Sequence, residues 1–269
     1  MPVAVVTGAS RGIGRATALA LGDAGFALGL VARSGAALEQ TRDLIERRGA
    51  RAVSVVADVA EAGAVRDAVA AIEARVGPIT LLVNNAGSMR AIGPLWNVDP
   101  DDWWSDVHTS LGGVFNLCRE VVPRMIKRRE GRIVNLASYV AVRPAPYQTG
   151  YASAKAGIAS VTEALAVSLD EYGIKVFAVA PGFTVTEMTR HLVESEAGRR
   201  WLPEVGKGRV VDAESTAQLI VRLASGAGDA LSGRFLHTLD DLEALLAGID
   251  EIRRDELYVP RVRRLPEAG

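Results

Sequence analysis

Two side chains in this sequence have the types and spacing to exchange a proton near neutrality. Tyr151 and Lys155 stand at i and i+4 in a stretch of helical period, Tyr151-Ala152-Ser153-Ala154-Lys155, so both project from one helical face. A free phenol titrates near pH ~10, too high for efficient proton exchange. A neighbouring ammonium favours the phenolate, and the expectation is that Lys155 draws the Tyr151 pKa down toward a working range. The spacing alone is common on helices. A third group, Ser138, closes the apolar run Arg132-Ile133-Val134-Asn135-Leu136-Ala137, which reads as a strand delivering a hydroxyl to the carboxyl edge of a sheet.

A second constellation binds anions rather than moving protons. The first strand runs into Thr7-Gly8-Ala9-Ser10-Arg11-Gly12-Ile13-Gly14, after which a helical period begins. A strand, a glycine-rich turn and a helix N-terminus together present backbone N–H groups and the positive end of a helix dipole to a pyrophosphate. The second strand ends Val31-Ala32-Arg33. It lacks the carboxylate that would accept hydrogen bonds from the ribose hydroxyls of NAD. Arg33, with Arg11 closing from the other side, suits the 2′-phosphate of NADP through charge-assisted hydrogen bonds. The competing reading is that both are surface arginines.

The elements that must position these groups alternate. Apolar, β-branched runs at 3–7, 27–32, 52–57, 81–84, 132–137, 175–180 and 234–237 are separated by helical stretches near 13–24, 36–48, 61–76, 100–129, 151–172 and 213–225. That pattern predicts an α/β fold: a single doubly wound parallel sheet of about seven strands, Rossmann-type, with helices on both faces. No Pro/Ser-rich linker divides it. Residues 1–238 are expected to form the dinucleotide-binding and catalytic domain, and 239–269 a helix and tail packed on it.

The TGxxxGxG spacing resembles that of the short-chain dehydrogenase/reductase family, and other marks follow in order over about residues 3–237. The resemblance implies that Asp58-Val59, after the third strand, contacts the adenine. It implies that Asn84-Asn85-Ala86-Gly87 lines the adenosine side, with Asn85, Ala86 and Gly87 touching cofactor. Pro181-Gly182-Phe183-Thr184-Val185-Thr186 resembles the segment that holds the nicotinamide carboxamide, which implicates Pro181, Gly182, Thr184 and Thr186. In such proteins the serine matching Ser138 hydrogen-bonds the substrate oxygen, the tyrosine matching Tyr151 exchanges its proton, and the lysine matching Lys155 also holds ribose hydroxyls. The implied activity is NADP(H)-dependent hydride transfer to or from a carbonyl or secondary alcohol carbon of a small, mostly apolar substrate, in a homo-oligomer (dimer or tetramer). A non-enzymatic NADPH-binding sensor is the alternative, disfavoured because a sensor needs no intact Ser138, Tyr151 and Lys155.

Two positions depart from the resemblance. Counting from Trp103, the register of a usual asparagine falls on Ser110, which becomes the expected fourth catalytic residue, while Asn116 points elsewhere. Beyond the seventh strand, an aspartate cap and Leu242, Leu245, Leu246, Ile249 and Ile252 at helical spacing describe an amphipathic helix. An irregular basic tail begins at Leu257-Tyr258-Val259-Pro260. This end either covers the sheet edge or forms a modified subunit interface. The substrate pocket is expected from segments 88–96, 139–148 and 183–201, with Met89, Trp96, Tyr147, Met188 and Trp201 making it mostly apolar. Arg90 and Arg143 are either anion ligands there or exposed loop arginines.

Composition narrows the remainder. Of 269 residues, 49% are hydrophobic, and the formal net charge is −1, which gives no basis for a nucleic-acid or anionic-membrane partner. The basic clusters 124–129 and 261–264 read as solvated helix end and tail. Cys118, the single cysteine, reads as a buried core residue, so no intramolecular disulfide forms. No signal peptide or membrane span is evident, and a cytoplasmic location is expected. His108, His191 and His237 lack ligand-like spacing, so no metal site is expected, and no GxSxG elbow marks Ser138 as a hydrolase nucleophile.

Overall fold

The computed structural model describes residues 1–262. Seven strands, β1 (Val3–Thr7), β2 (Ala27–Ala32), β3 (Ala52–Val56), β4 (Ile79–Asn84), β5 (Gly131–Leu136), β6 (Ile174–Ala180) and β7 (Phe235–His237), form one sheet in the order β3-β2-β1-β4-β5-β6-β7. Every pairing is parallel. The chain winds outward from β1 to β3, then returns to start β4 beside β1. The direction of winding therefore switches between β1 and β4, and a crevice opens at their carboxyl ends.

Both faces of the sheet are covered, which is why its strands read as apolar runs without alternation. Val3 and Val5 pack into one apolar layer with Ile72, Leu117 and Ile158, while Ala4 and Val6 pack into the other with Leu21, Ile220 and Leu236. The first layer is built by α3 (Ala62–Val76), α5 (Gly113–Arg128) and α6 (Thr149–Leu169); the second by α1 (Gly12–Asp23), α2 (Gly35–Arg47) and α9 (Ala213–Ala224). A polar rung crosses the first layer. Asn84 Nδ2 donates to Asn135 Oδ1 (2.9 Å), and Asn135 Nδ2 donates to Thr162 Oγ1 (2.9 Å), joining β4, β5 and α6.

Three stretches differ from the sequence reading. The helix expected over 100–129 is broken. Asp99 caps α4 (Pro100–Val107) by accepting from Asp101 N (2.7 Å), a single π-turn spans His108–Gly112, and α5 follows. Gly113 lets this kinked helix approach the chain after β3, since a Cβ there would stand 2.7 Å from Val59 Cγ2. The amphipathic helix expected after β7 is two short ones, α10 (Leu242–Ala247) and α11 (Ile249–Arg254), separated at Gly248. Leu242, Leu245 and Ile252 bury against the second layer. Beyond them Phe235 N donates to Tyr258 O (2.7 Å), so the described part of the tail lies along the outer edge of β7. Residues 263–269 of the expected tail, with Arg263 and Arg264, lie outside the described residues. Finally, the expected pocket segment 183–201 folds into two helices, α7 (Glu187–Glu194) and α8 (Glu196–Trp201).

Candidate active site

The crevice at the switch point is a cavity of about 480 Å³ that runs from the end of β2 past the glycine turn to α6. At the turn, Gly8 and Gly12 take φ of +65° and +54°, a region that glycine enters without strain. A Cβ on Gly14 would collide with Gly8 O, so glycine there lets α1 start directly under the turn. No side chain caps α1, and no acidic residue occupies its first turn. Its leading N–H groups are thus left for an anion. The turn is braced from β4: Thr7 Oγ1 accepts from Asn85 N and Ala86 N (both 3.0 Å), and Asn85 Nδ2 donates to Thr7 O (2.8 Å).

At the outer end, Arg33 pairs with Asp58 at 3.7 Å, and Arg11 pairs with Glu187 across the mouth of the cleft. Both arginines are more than half exposed, so either can exchange its partner for another anion at little cost. Asn116, set aside by the sequence register, donates to Val59 O (2.9 Å) and Ala60 O (3.2 Å), and so holds the 58–60 segment in place. Arg15 also lines this end and donates to Ser10 O (2.6 Å). Its place one helical turn after Arg11 was the only signal for it.

At the inner end, Tyr151 and Lys155 line the cavity together with Leu136, Ala137, Thr109 and Met188. Lys155 is 4% exposed, and its Nζ donates to Leu136 O (2.5 Å). Burial depresses its pKa to about 8. The expected lowering of Tyr151 by this lysine is not found. Burial raises the phenol to about 12, the nearby Ser138 hydroxyl pulls it back, and the charge of Asp106 pushes it further up. The ammonium stands 5.4 Å from the ring centroid and spends a hydrogen bond on the strand carbonyl instead. The protonated phenol is therefore a proton donor at neutral pH, with Ser138 as its polar neighbour.

Ser110 lies in the π-turn, fully buried, and its Oγ accepts from Ser88 N (3.2 Å). It does not line the cavity. Its Oγ and Lys155 Nζ stand 3.4 and 3.9 Å from where a Gly87 Cβ would be, so the missing side chain of Gly87 leaves space between them. Among the other sequence-singled residues, Gly8, Ser10, Arg11, Gly12, Ile13, Arg33, Asp58, Val59, Asn85, Ala86, Gly87, Pro181 and Thr186 line the cavity, whereas Gly14, Ser138, Gly182 and Thr184 flank it. Thr184 Oγ1 is buried without a partner. That orphaned hydroxyl, the uncapped α1 N-terminus and the glycine turn together fit a dinucleotide laid along the crevice.

The expected substrate walls converge in part. Trp201 packs on Tyr147 (ring centroids 5.0 Å) and against Gly93, and Gly93 N donates to Tyr147 O (2.9 Å), so the three segments meet. Trp96 does not join them: it is 84% exposed. Arg90 pairs with Asp102 (3.8 Å), and Arg143 lies over the Tyr139 ring (5.1 Å). Sequence reasoning missed Asp106, a fully buried carboxylate on α4 that accepts from Ser88 Oγ (2.7 Å), Arg90 N (2.8 Å) and Ala91 N (3.1 Å). Nothing in its local sequence, Trp104-Ser105-Asp106-Val107, distinguishes it from a solvated helix residue.

Comparison with known proteins agrees with this geometry. Residues 2–197 match the family model described as short chain dehydrogenase. The chain is 37% identical to a 3-oxoacyl-[acyl-carrier-protein] reductase of Pseudomonas aeruginosa over 231 residues, covering 86% of this chain and 93% of that protein. Among solved structures it is similar to levodione reductase, with a TM-score of 0.82 at 30% identity over 88% of this chain and 95% of the other. It is also similar to a gluconate 5-dehydrogenase of Burkholderia cenocepacia in complex with NADP and tartrate, with a TM-score of 0.80 at 34% identity over 93% and 95%.

Proposed function

The chain belongs to the short-chain dehydrogenase family and is an oxidoreductase; from that premise we propose that it uses NADP(H) to interconvert a carbonyl and a secondary alcohol on a small, mostly apolar substrate. The observation that carries the reading is the shared cavity, which brings the anion-binding turn at 8–13, the half-buried Tyr151 and the buried Lys155 into one cleft. When bound, the nicotinamide supplies or accepts the hydride.

The chain's own residues do the rest. The N–H groups of the glycine turn and of α1 hold the pyrophosphate. Asp58, Val59, Asn85, Ala86 and Gly87 bound the adenosine side, and Pro181, Gly182, Thr184 and Thr186 the carboxamide side. Arg33 and Arg11 exchange Asp58 and Glu187 for the 2′-phosphate, a stronger partner for a guanidinium than a lone carboxylate. The relative solved with NADP supports this preference by analogy.

In the reduction direction Tyr151 donates its proton to the substrate oxygen, and Ser138 hydrogen-bonds the same oxygen as charge develops on it. Lys155 holds the ribose hydroxyls with the N–H groups it does not spend on Leu136 O. Ser110 keeps the π-turn and the 88–91 segment in register around the space beside Lys155. Residues 239–262 serve as an appendage of the same domain. The homo-oligomer would associate through the exposed apolar side chains Phe115 and Val167 on α5 and α6. A cytoplasmic site of action fits a fold with no described helix long and apolar enough to cross a membrane.

The test is NADPH consumption against ketones, aldehydes, 3-oxoesters and quinones, with Tyr151→Phe as control. The variant should bind NADPH normally and turn over roughly 10²–10⁴-fold more slowly. Near-normal turnover would sink the assignment of the donor.

A further inference from the structure

Asp106 is a carboxylate with no solvent and, among the described residues, no cation within ion-pair distance. Charges in such surroundings are normally paired or neutralised, because losing hydration costs several kcal/mol. Here neutral donors replace the water: the Ser88 hydroxyl and the backbone N–H groups of Arg90 and Ala91. All three come from one short segment, which continues the cavity-lining Asn85-Ala86-Gly87. Arg90 contributes only its backbone N–H, since its guanidinium turns outward to Asp102.

The helix that carries Asp106 is pressed against the helix of the proton donor. Trp103 Nε1 donates to Thr149 Oγ1 (3.1 Å), and a Cβ on Gly150 would come within 3.0 Å of Trp103 O. Gly150 thus allows α4 to meet α6 immediately before Tyr151, and Asp106 lies one turn further along α4. Resting on the assignment of Tyr151 as donor, we infer that Asp106 is a positioning residue of the reaction: it pins the 88–91 segment to α4 and holds a negative charge on the helix packed against that of Tyr151.

Such a charge opposes formation of the phenolate and so keeps the donor loaded with its proton, the direction found for Tyr151. The other charged groups facing the cleft are Lys155 on α6 and, toward the mouth, Arg11, Arg15, Arg33, Asp58 and Glu187; His237 at the end of β7 stands behind Tyr139, 4.9 Å between ring centroids. Of these groups, the Lys155 ammonium, 5.4 Å from the Tyr151 ring centroid, favours the phenolate, and Asp106 opposes it.

The experiment is the pH dependence of kcat/KM for NADPH-driven reduction of ethyl acetoacetate, or of the panel ketone turned over fastest, in wild type and Asp106→Asn. Loss of the negative charge favours the phenolate and disfavours the Lys155 ammonium, so the alkaline limb, whichever group sets it, should move to lower pH by about one unit. A purely structural role would scale the profile down and leave the limb in place, and that result overturns the inference. Ser88→Ala provides the second arm should Asp106→Asn fail to fold. It keeps the carboxylate and removes one of its donors, so its alkaline limb should stay or rise; a fall overturns the inference as well. Tyr151→Phe run in parallel separates the two readings. Full activity there removes the proposed donor itself, whereas a slow Tyr151→Phe beside an unmoved limb in Asp106→Asn removes only the role of Asp106.

Discussion

Replacing Lys155 by methionine should make the protein more stable and much less active. The side chain is buried, and burial alone holds its pKa down from 10.5 to about 8. At about 1.4 kcal/mol per pKa unit, keeping this ammonium charged inside the fold costs about 3 kcal/mol. Methionine fills a similar volume without charge, but leaves Leu136 O without the donor it now has at 2.5 Å, a loss of about 1–3 kcal/mol. The net expectation at pH 7 is a gain of roughly 0–2 kcal/mol. Its pH dependence has a definite sign. Below pH 8 both the folded and the unfolded chain carry the proton, and the wild type bears the full cost. Between pH 8 and 10.5 the folded amine gives up its proton before the unfolded one does, so the wild type gains stability as pH rises through that window. The advantage of Lys155→Met should therefore shrink above pH 8 and reverse by about pH 10.5. Urea unfolding followed by tryptophan fluorescence at pH 7 and pH 10, with m unchanged between the two proteins, measures the difference. A variant less stable than wild type at pH 7, or a difference that ignores pH, refutes the reasoning.

Three further substitutions test other parts of the cleft. Arg33→Asp should weaken NADPH binding by roughly ten- to a hundredfold, the worth of a charge-assisted hydrogen bond, and should strengthen NADH binding. Fluorescence titration with both nucleotides checks it, and a wild type that already prefers NADH contradicts it. Ser110→Ala leaves the buried Ser88 N–H without its acceptor, which should cost about 1–3 kcal/mol of stability, yet less than about tenfold in turnover. Inactivity matching Tyr151→Phe in a folded protein would make the hydroxyl itself an essential relay member. Gly14→Ala forces a Cβ onto Gly8 O and within 2.5 Å of Asn85 Nδ2, and should destabilise by about 1–3 kcal/mol while weakening NADPH binding. An unchanged Tm would show that the turn yields more easily than its packing implies.

All seven strands and the glycine turn were legible in the sequence, because apolar runs between helical periods leave few other readings and because turn chemistry is local. What escaped depended on contacts between distant segments. The π-turn at His108–Gly112 has no pattern of its own; its neighbour Gly113 earns its place only against Val59. Trp96 was assigned to the pocket by type and segment, but the loop carries it outward. The Tyr151–Lys155 spacing correctly placed both side chains on one wall, yet could not show that burial outweighs the ammonium's pull on the phenol, or that Leu136 O claims the lysine. Asp106 was invisible for the same reason: its donors come from another loop.

The rung of Asn84, Asn135 and Thr162 has a consequence for how the chain folds. Strands buried on both faces tolerate a slip of one residue poorly specified by hydrophobicity, since valine or leucine suits either layer. A slip between β4 and β5 would part Asn84 from Asn135, which now stand opposite each other, and leave amides stranded in the core at about 1–3 kcal/mol per group. The rung thus acts as a register pin that rejects misaligned sheets during assembly. Because Asn85 and Ser138 emerge just past the pinned ends, the same amides set how far the brace of the anion-binding turn stands from the partner of the proton donor.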